Sequence, residues 1–472
     1  MGVTRELARF VARARYEDLS PAAVEAAKTA LLNILGNCVA GNRTRIGALH
    51  VEMAKDMGGG RPQATILGDG ARVSAPVAAY ANGNLGFALD YEDTVKYVTH
   101  PGFITTASGL AVGELQGSSG RDLILAMALG YEIVARIGLS MQPTPERGKV
   151  VFGEQYHPFA AAVTAGKLLG LDEEQLDVAF GVAGTYSSVP SAYKYFGPVD
   201  ETRPMREVKL GWGWMCMAGT LGALSAQRGF RGGHGILDGE RGFHVMAGSD
   251  RCDFERMTRD LGKGWLICDA EYKGFPAIAR IIPAYFAASA LVEEHRIVPV
   301  DVERIVVRGG HVRLVNDVDP RSAVDAQFSL PFVVAMAVTR DPLNPAMYAD
   351  DRLFDPVVRD LLGRITLDPD AEAETLFFNE QRLRFSVSIT LKSGASVRRD
   401  IEFPRDQPRM DWAGVERKFR TLAGSLLPAA QVEQAIGAVR ALDGLENLEP
   451  LISSVCVAPG TAAGRNAPVS AS

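Results

Sequence analysis

The first half of the chain is written in helical period, one apolar segment after another. Ser20-Pro21 reads as an N-cap followed by proline at the first helical position, leading into an Ala/Leu-rich amphipathic run that ends at Gly36. Gly120-Arg121-Asp122 opens another helix through Ile137. Phe159 to Leu169 is a small-residue helix stopped at Gly170, and Asp172-Glu173-Glu174 starts the next with acids in its first turn. Ala160-Ala161-Ala162 and Ala218-Gly219-Thr220-Leu221-Gly222-Ala223 carry side chains small enough for helices to approach closely, which predicts a buried bundle core.

After Lys273 the period changes. Asp301 to Arg308 is β-branched and partly alternating, and Arg384 to Leu391 alternates with one apolar face. Lys392-Ser393-Gly394-Ala395 then leads into Ser396 to Arg399, which predicts a β-hairpin. Asp325 to Val338 between them reads as a helix, so residues of about 270 to 405 form a small α+β unit. Asp411 to Leu442 returns to helical periodicity and is expected to pack back on the first part. Ala458 to Ser472 is Ala/Gly/Ser/Pro-rich and is expected to be disordered.

Composition narrows the class. A chain of 472 residues is too long for one compact core. With 50 basic and 56 acidic residues its net charge of -6 offers no global attraction to nucleic acid or an anionic membrane, so an anionic ligand must meet a local basic cluster. Cys38, Cys216, Cys252, Cys268 and Cys456 are scattered with no CxxC pair, against a disulfide framework or a zinc or iron–sulfur site. Met1 to Tyr16 mixes Arg and Glu without an apolar signal region, and no run reaches the ~18 consecutive apolar residues of a membrane span. A reducing cytoplasm is the expected location.

The chemistry concentrates in Leu89-Asp90-Tyr91-Glu92-Asp93-Thr94, followed by Thr99-His100-Pro101-Gly102. Asp and Thr compete for backbone hydrogen bonds and Pro101 stops propagation, so a helix ends near Asp90 and a polar loop crosses a cleft. A cluster of caps and turns is the alternative. Asp90 and Thr94, four apart, share a face if the backbone there is helical. His157, between Tyr156 and Pro158, sits at a helix N-terminus, where the dipole favours anionic ligands. A lysine such as Lys273, at the junction of the two patterns, can pair with a substrate carboxylate or lose its charge by desolvation. There is no HExxH, no Cys/His ligand cluster and no phosphate loop; Gly229-Phe230-Arg231-Gly232-Gly233 is glycine-rich but follows no strand.

These landmarks come in a familiar order. They begin with Ala27 to Gly36 closed by Ala40-Gly41, then Asn82-Gly83, Ala88 to Thr94 and His100-Pro101. Gly130-Tyr131-Glu132-Ile133, His157-Pro158, Lys167 to Asp172 and Gly229-Phe230-Arg231-Gly232 follow, then Lys273-Gly274-Phe275-Pro276 and Ala326-Gln327-Phe328-Ser329-Leu330-Pro331. From about Leu7 to about Leu442 the chain resembles the MmgE/PrpD family of 2-methylcitrate dehydratases, cis-aconitate decarboxylases and iminodisuccinate epimerases. The resemblance implies a mainly α protein: a large all-helical domain (1–268 and 406–455) with an inserted small α+β lid domain (269–405) and a disordered tail (456–472). It implies a homodimer, a small polycarboxylate substrate, and neither metal nor organic cofactor. His157, Lys273 and His100 are the implied catalytic residues, and Asp90, Thr94, Lys209 and Arg206 the implied substrate-binding ones, although Arg206 equally suits a solvated surface.

Departures from the family pattern bear on the reaction. Five and nine positions after Lys273, where family members carry proton-transfer side chains, this chain has Ile278 and Ile282; Phe332 replaces a frequent tyrosine and Asn33 a usual aspartate. Tyr193-Lys194-Tyr195-Phe196 adds aromatic surface. The leading expectation is a lyase, dehydrating or decarboxylating a small di- or tricarboxylic acid by proton transfer beside a carboxylate. The alternatives are a two-base epimerase, which tolerates Ile278 better, and a non-catalytic homologue.

Overall fold

Helix ends fall where capping side chains meet the apolar stripes. The computed structural model describes residues 2–58, 60–148, 150–151, 155–188, 211–310, 312, 315–340 and 345–457. Ser20 accepts from the Ala23 N–H at 3.2 Å to start the helix Pro21–Gly41. This helix runs five residues beyond Gly36, where the sequence pattern had stopped it. A mid-helix glycine costs about 1 kcal/mol, but here residues 37–41 are all buried and Gly36 lies against Phe419 of a distant helix, so tertiary packing decides.

Around it lie Ala75–Phe87, Pro101–Gln116, Gly120–Ser140, His157–Leu168, Glu173–Thr185 and Trp212–Gln227, the body of a mainly α fold. Gly219 explains how closely two of them meet: a Cβ there would overlap the Pro158 carbonyl oxygen. Gly120–Ser140 is long and apolar enough to cross a membrane by composition, yet its apolar window is wholly buried inside the protein.

Beyond residue 300 a four-stranded sheet runs in the order Ile365–Pro369, Val302–Gly309, Leu383–Leu391, Ser396–Phe403. The first pairing is parallel and the other two antiparallel, the last being the expected hairpin. Ile282–Glu294 packs against the hairpin strands and against Leu330–Thr339. The helix expected over 325–338 is in fact two, Ala323–Gln327 and Leu330–Thr339. Pro331 has no N–H to continue the first, and Ser329 caps the second by accepting from the Phe332 N–H at 3.0 Å. The strand Ile365–Pro369 and the helix Ala371–Glu380 have no counterpart in the sequence reading.

Two elements tie the halves together. Trp412–Ala423 packs on Pro21–Gly41, across almost the whole length of the chain. Asp93–Val95 pairs antiparallel with Ala270–Tyr272, in the register Asp93↔Tyr272, Thr94↔Glu271 and Val95↔Ala270. That short ladder holds the carboxylate-rich segment against Lys273.

Candidate active site

The Ala75–Phe87 helix ends just before Asp90, and the chain then turns sharply. Asp90, Lys96 and Tyr97 take positive φ (53°, 54° and 56°), a left-handed conformation that side-chain-bearing residues seldom adopt. Thr94 lies in the strand Asp93–Val95, so Asp90 and Thr94 do not share a helical face. The ladder to 270–272 overrides local propensity there. Thr94 donates instead to the Thr99 carbonyl at 3.1 Å, closing the turn.

Lys273 enters this turn from the other half of the chain. Its backbone N–H donates to the Glu92 carbonyl at 3.1 Å, and its ammonium donates to the carboxylates of Asp90 and Glu92, at 2.5 Å for Glu92. All three side chains are 2% exposed or less. Burial alone would lower the lysine pKa, but the two carboxylates outweigh it and hold the ammonium charged. Burial would likewise raise the Glu92 pKa, and Lys273 and His100 outweigh that, pulling it below the usual range.

His100 completes the array. Its Nδ1 lies 3.0 Å from Glu92 Oε1 and 2.9 Å from the Asp93 carbonyl. Both neighbours are acceptors, so Nδ1 carries a proton and the change of protonation falls to Nε2. His157 stands at the start of His157–Leu168, as its sequence context suggests, and is fully buried. Its Nε2 takes the His100 backbone N–H at 3.0 Å and lies 3.1 Å from Thr99 Oγ1. That nitrogen is occupied in fixing the backbone from which His100 projects.

Asp93 faces away from Lys273. It accepts from the Tyr131 hydroxyl at 2.6 Å, and burial raises its carboxyl to a pKa of about 6. Gly102 makes the room, since a Cβ at that position would overlap Asp93 Oδ1.

One neighbour carries no mark among the sequence motifs. Lys418 is buried behind Tyr91, its ammonium 3.6 Å from the ring centroid, donating at 2.8 Å to Asn33 Oδ1 and at 2.5 Å to the Tyr91 carbonyl. Burial drives its pKa well down. A signal existed: Val415, Lys418, Phe419 and Leu422 form one stripe of the helix Trp412–Ala423, so a lysine occupies an apolar position. Gln327 is buried and donates to the Ala88 carbonyl at 3.3 Å. Phe332 stacks on Tyr348, whose hydroxyl donates to the Pro276 carbonyl. Ile282 lines a small cavity beside Thr94 and Lys273.

That small cavity shares Gly274, Phe286 and Pro408 with one of about 380 Å³, which Arg409, Arg417, Lys418 and Asp411 also line. Here is a local basic cluster of the kind the overall acidity calls for. Arg206, Lys209 and residues 193–196 lie outside the described residues. Among the described residues no group of three or more His, Cys, Asp or Glu side chains is arranged to hold a metal ion. His234 pairs with Asp177 at 3.0 Å and is half exposed.

Comparison with known proteins follows the same outline. Residues 5–255 match the MmgE/PrpD N-terminal domain and residues 275–444 the MmgE/PrpD C-terminal domain. The chain is 26% identical over 469 residues to the human cis-aconitate decarboxylase, covering 95% of this chain and 93% of that protein. It is 24% identical over 482 residues to the cis-aconitate decarboxylase of Aspergillus terreus, covering 96% and 95%. With both domains matched across most of its length, the chain belongs to the MmgE/PrpD family.

Proposed function

We propose that this protein is a lyase that removes carbon dioxide or water from a small di- or tricarboxylic acid, with decarboxylation of a cis-aconitate-like substrate as the leading reaction. The observation that carries the reading is the buried array Lys273–Glu92–His100, in which a fixed cation and an oriented imidazole share one carboxylate. Full-length similarity to named cis-aconitate decarboxylases supports it. The epimerase reading gains no support from these relatives.

Decarboxylation breaks the bond between a carbon and its carboxylate, releases carbon dioxide and leaves an electron pair that a proton must quench. Lys273, held charged by Asp90 and Glu92, stabilises the negative charge as it develops. His100 Nε2 supplies the proton, with Glu92 holding Nδ1 so that the ring stays in the required tautomer. His157 acts as a positioning residue, through the His100 backbone. In dehydration the neutral imidazole takes a proton from carbon, the carbon–oxygen bond breaks, and the hydroxyl leaves as water with a proton from the Lys273 ammonium.

Arg409 and Arg417 at the mouth of the larger cavity give an anionic substrate a favourable approach. Residues 269–405 serve as a lid over the helical part, which brings Lys273 and the Ile278 side to the substrate. The apolar Ile278 and Ile282 then demand a substrate with an apolar edge on the lid side.

Proton NMR of the purified chain with cis-aconitate, 2-methylcitrate and citrate in turn tests the proposal. Loss of carbon dioxide or water from one of them is expected. Absence of turnover for all three, or exchange of a carbon-bound proton with solvent without net product, would overturn it.

A further inference from the structure

Trp212 is the first residue of the helix Trp212–Gln227 and is 2% exposed. Its indole Nε1–H, wholly buried, has no hydrogen-bond partner among the described residues. Buried polar groups are rarely left so, because water's hydrogen bond is lost and nothing replaces it. The surroundings show which molecule can replace it. The indole ring lies 5.1 Å from the His157 ring at 89° and 6.2 Å from the His100 ring at 72°. It is 4.6 Å from Phe87, and the Lys273 ammonium stands 5.6 Å from that same phenyl ring. Phe103 closes the remaining side at 5.0 Å.

The indole therefore lies beside His100 of the array and beside His157, which positions it, and one ring away from Lys273. This wall is apolar except for the one unsatisfied donor. A polycarboxylate seated against His100 brings acceptor oxygens to it, and a carboxylate oxygen is the partner that an N–H donor satisfies best. A phenylalanine would supply the same wall without the donor.

We propose that Trp212 is a substrate-binding and specificity residue, whose indole N–H donates a hydrogen bond to a carboxylate oxygen of the substrate while its ring keeps water from His100. The proposal rests on the lyase reading for the identity of the substrate, but not for the existence of the hydrogen bond. It also assigns the substrate a carboxylate on the helical side, opposite the apolar Ile278 edge. Trp212 thus selects among polycarboxylates by where their carboxylates lie.

The test compares Trp212→Phe with Trp214→Phe. Trp214 is 43% exposed and donates to the Tyr186 carbonyl at 3.0 Å, so its variant serves as control. With cis-aconitate, Trp212→Phe should raise KM about 10-fold or more, the scale of one hydrogen bond to a charged group, with kcat changed much less and the melting temperature kept. Trp214→Phe should leave KM unchanged. Indole ¹⁵N–H resonances of the wild-type protein, assigned by single Trp→Phe variants, provide an independent readout. Titration with cis-aconitate should move the Trp212 signal downfield. If the wild-type protein turns over cis-aconitate while the Trp212 signal stays fixed and Trp212→Phe keeps the wild-type KM, this proposal fails and the lyase reading stands. If no polycarboxylate is turned over, the lyase reading fails, and tricarballylate, a saturated tricarboxylate, decides the hydrogen bond by moving the Trp212 signal or leaving it in place.

Discussion

Glu92 serves two cations at once, and its replacement separates orientation from charge. Glu92→Gln keeps the shape but removes the negative charge beside His100 Nδ1. Without that charge the protonated imidazole is less favoured, so the alkaline limb of the kcat profile, where the proton donor is lost, should move to lower pH while kcat falls about 10²-fold. An unchanged limb in a pH–rate series would show that Glu92 does not orient the proton-transfer group. Lys273 calls for a different variant. Lys273→Ala strands two buried carboxylates without their cation, and the expected loss is about 3–5 kcal/mol of stability. Denaturant unfolding should show that loss, so reduced activity in this variant reports folding as well as chemistry. Asp93 carries a pH signature. Its carboxyl is raised by burial to about 6, above the 3.8 of an unperturbed aspartate, so the folded state favours the protonated form. The stabilisation is full below the unfolded pKa and is lost as pH rises through about 6. Asp93→Asn keeps an acceptor for Tyr131 and no longer ionises. It should therefore gain about 2–3 kcal/mol over wild type at pH 7.5 relative to its difference at pH 4. Urea melts at the two pH values measure this, and equal differences would contradict the assignment.

At the scale of elements, the site depends on how closely the helix Pro101–Gln116 approaches the strand Asp93–Val95. Gly102 is the point of contact, and Gly102→Ala would force a methyl into Asp93 Oδ1. The strain must move either the strand that carries Glu92's neighbour or the helix start that follows His100. The expected result is a lower melting temperature together with a fall in kcat of about 10-fold or more, since misplacing catalytic groups by about 1 Å can cost 10²-fold. Thermal melts and steady-state kinetics on the same preparation check it. Retention of full activity would show that the turn absorbs the strain.

For the whole molecule, the family resemblance implies a homodimer, and Gly/Ala-rich helix faces are one kind of surface on which two chains pack closely. Those of His157–Leu168 and Trp212–Gln227 are spent inside the chain: they pack on one another, with Gly219 against Pro158. A different face is open. Leu49, Met53 and Met57, spaced by four on the helix Arg45–Met57, are 47%, 50% and 46% exposed and form an apolar stripe. We propose a homodimer that covers this stripe. Sedimentation should give about twice the 50.7 kDa chain mass, and Met53→Glu should shift the species toward the monomer. A monomeric wild type at micromolar concentration would refute the assembly.

The sequence by itself determined what is local. Ser20 and Asp172 start the helices Pro21–Gly41 and Glu173–Thr185, because capping is settled within one turn. The alternation of 384–391 with Gly394 after it makes a hairpin in any context that buries one face. The dense run from Asp90 to His100 announced a polar turn because no helix surface uses such residues. Tertiary structure decided the rest. It placed Asp90 opposite Lys273, 183 residues away, and turned Thr94 into a strand residue by pairing it with Glu271. It set Lys418 behind Tyr91 and Trp212 between two histidines; the apolar stripe around Lys418 marks it as buried, but nothing near it in sequence says against what. It also kept the helix Pro21–Gly41 running through Gly36. The physical reason is the same in each case: propensities and caps act over a few residues, whereas burial and charge pairing act between surfaces that only the folded chain brings together.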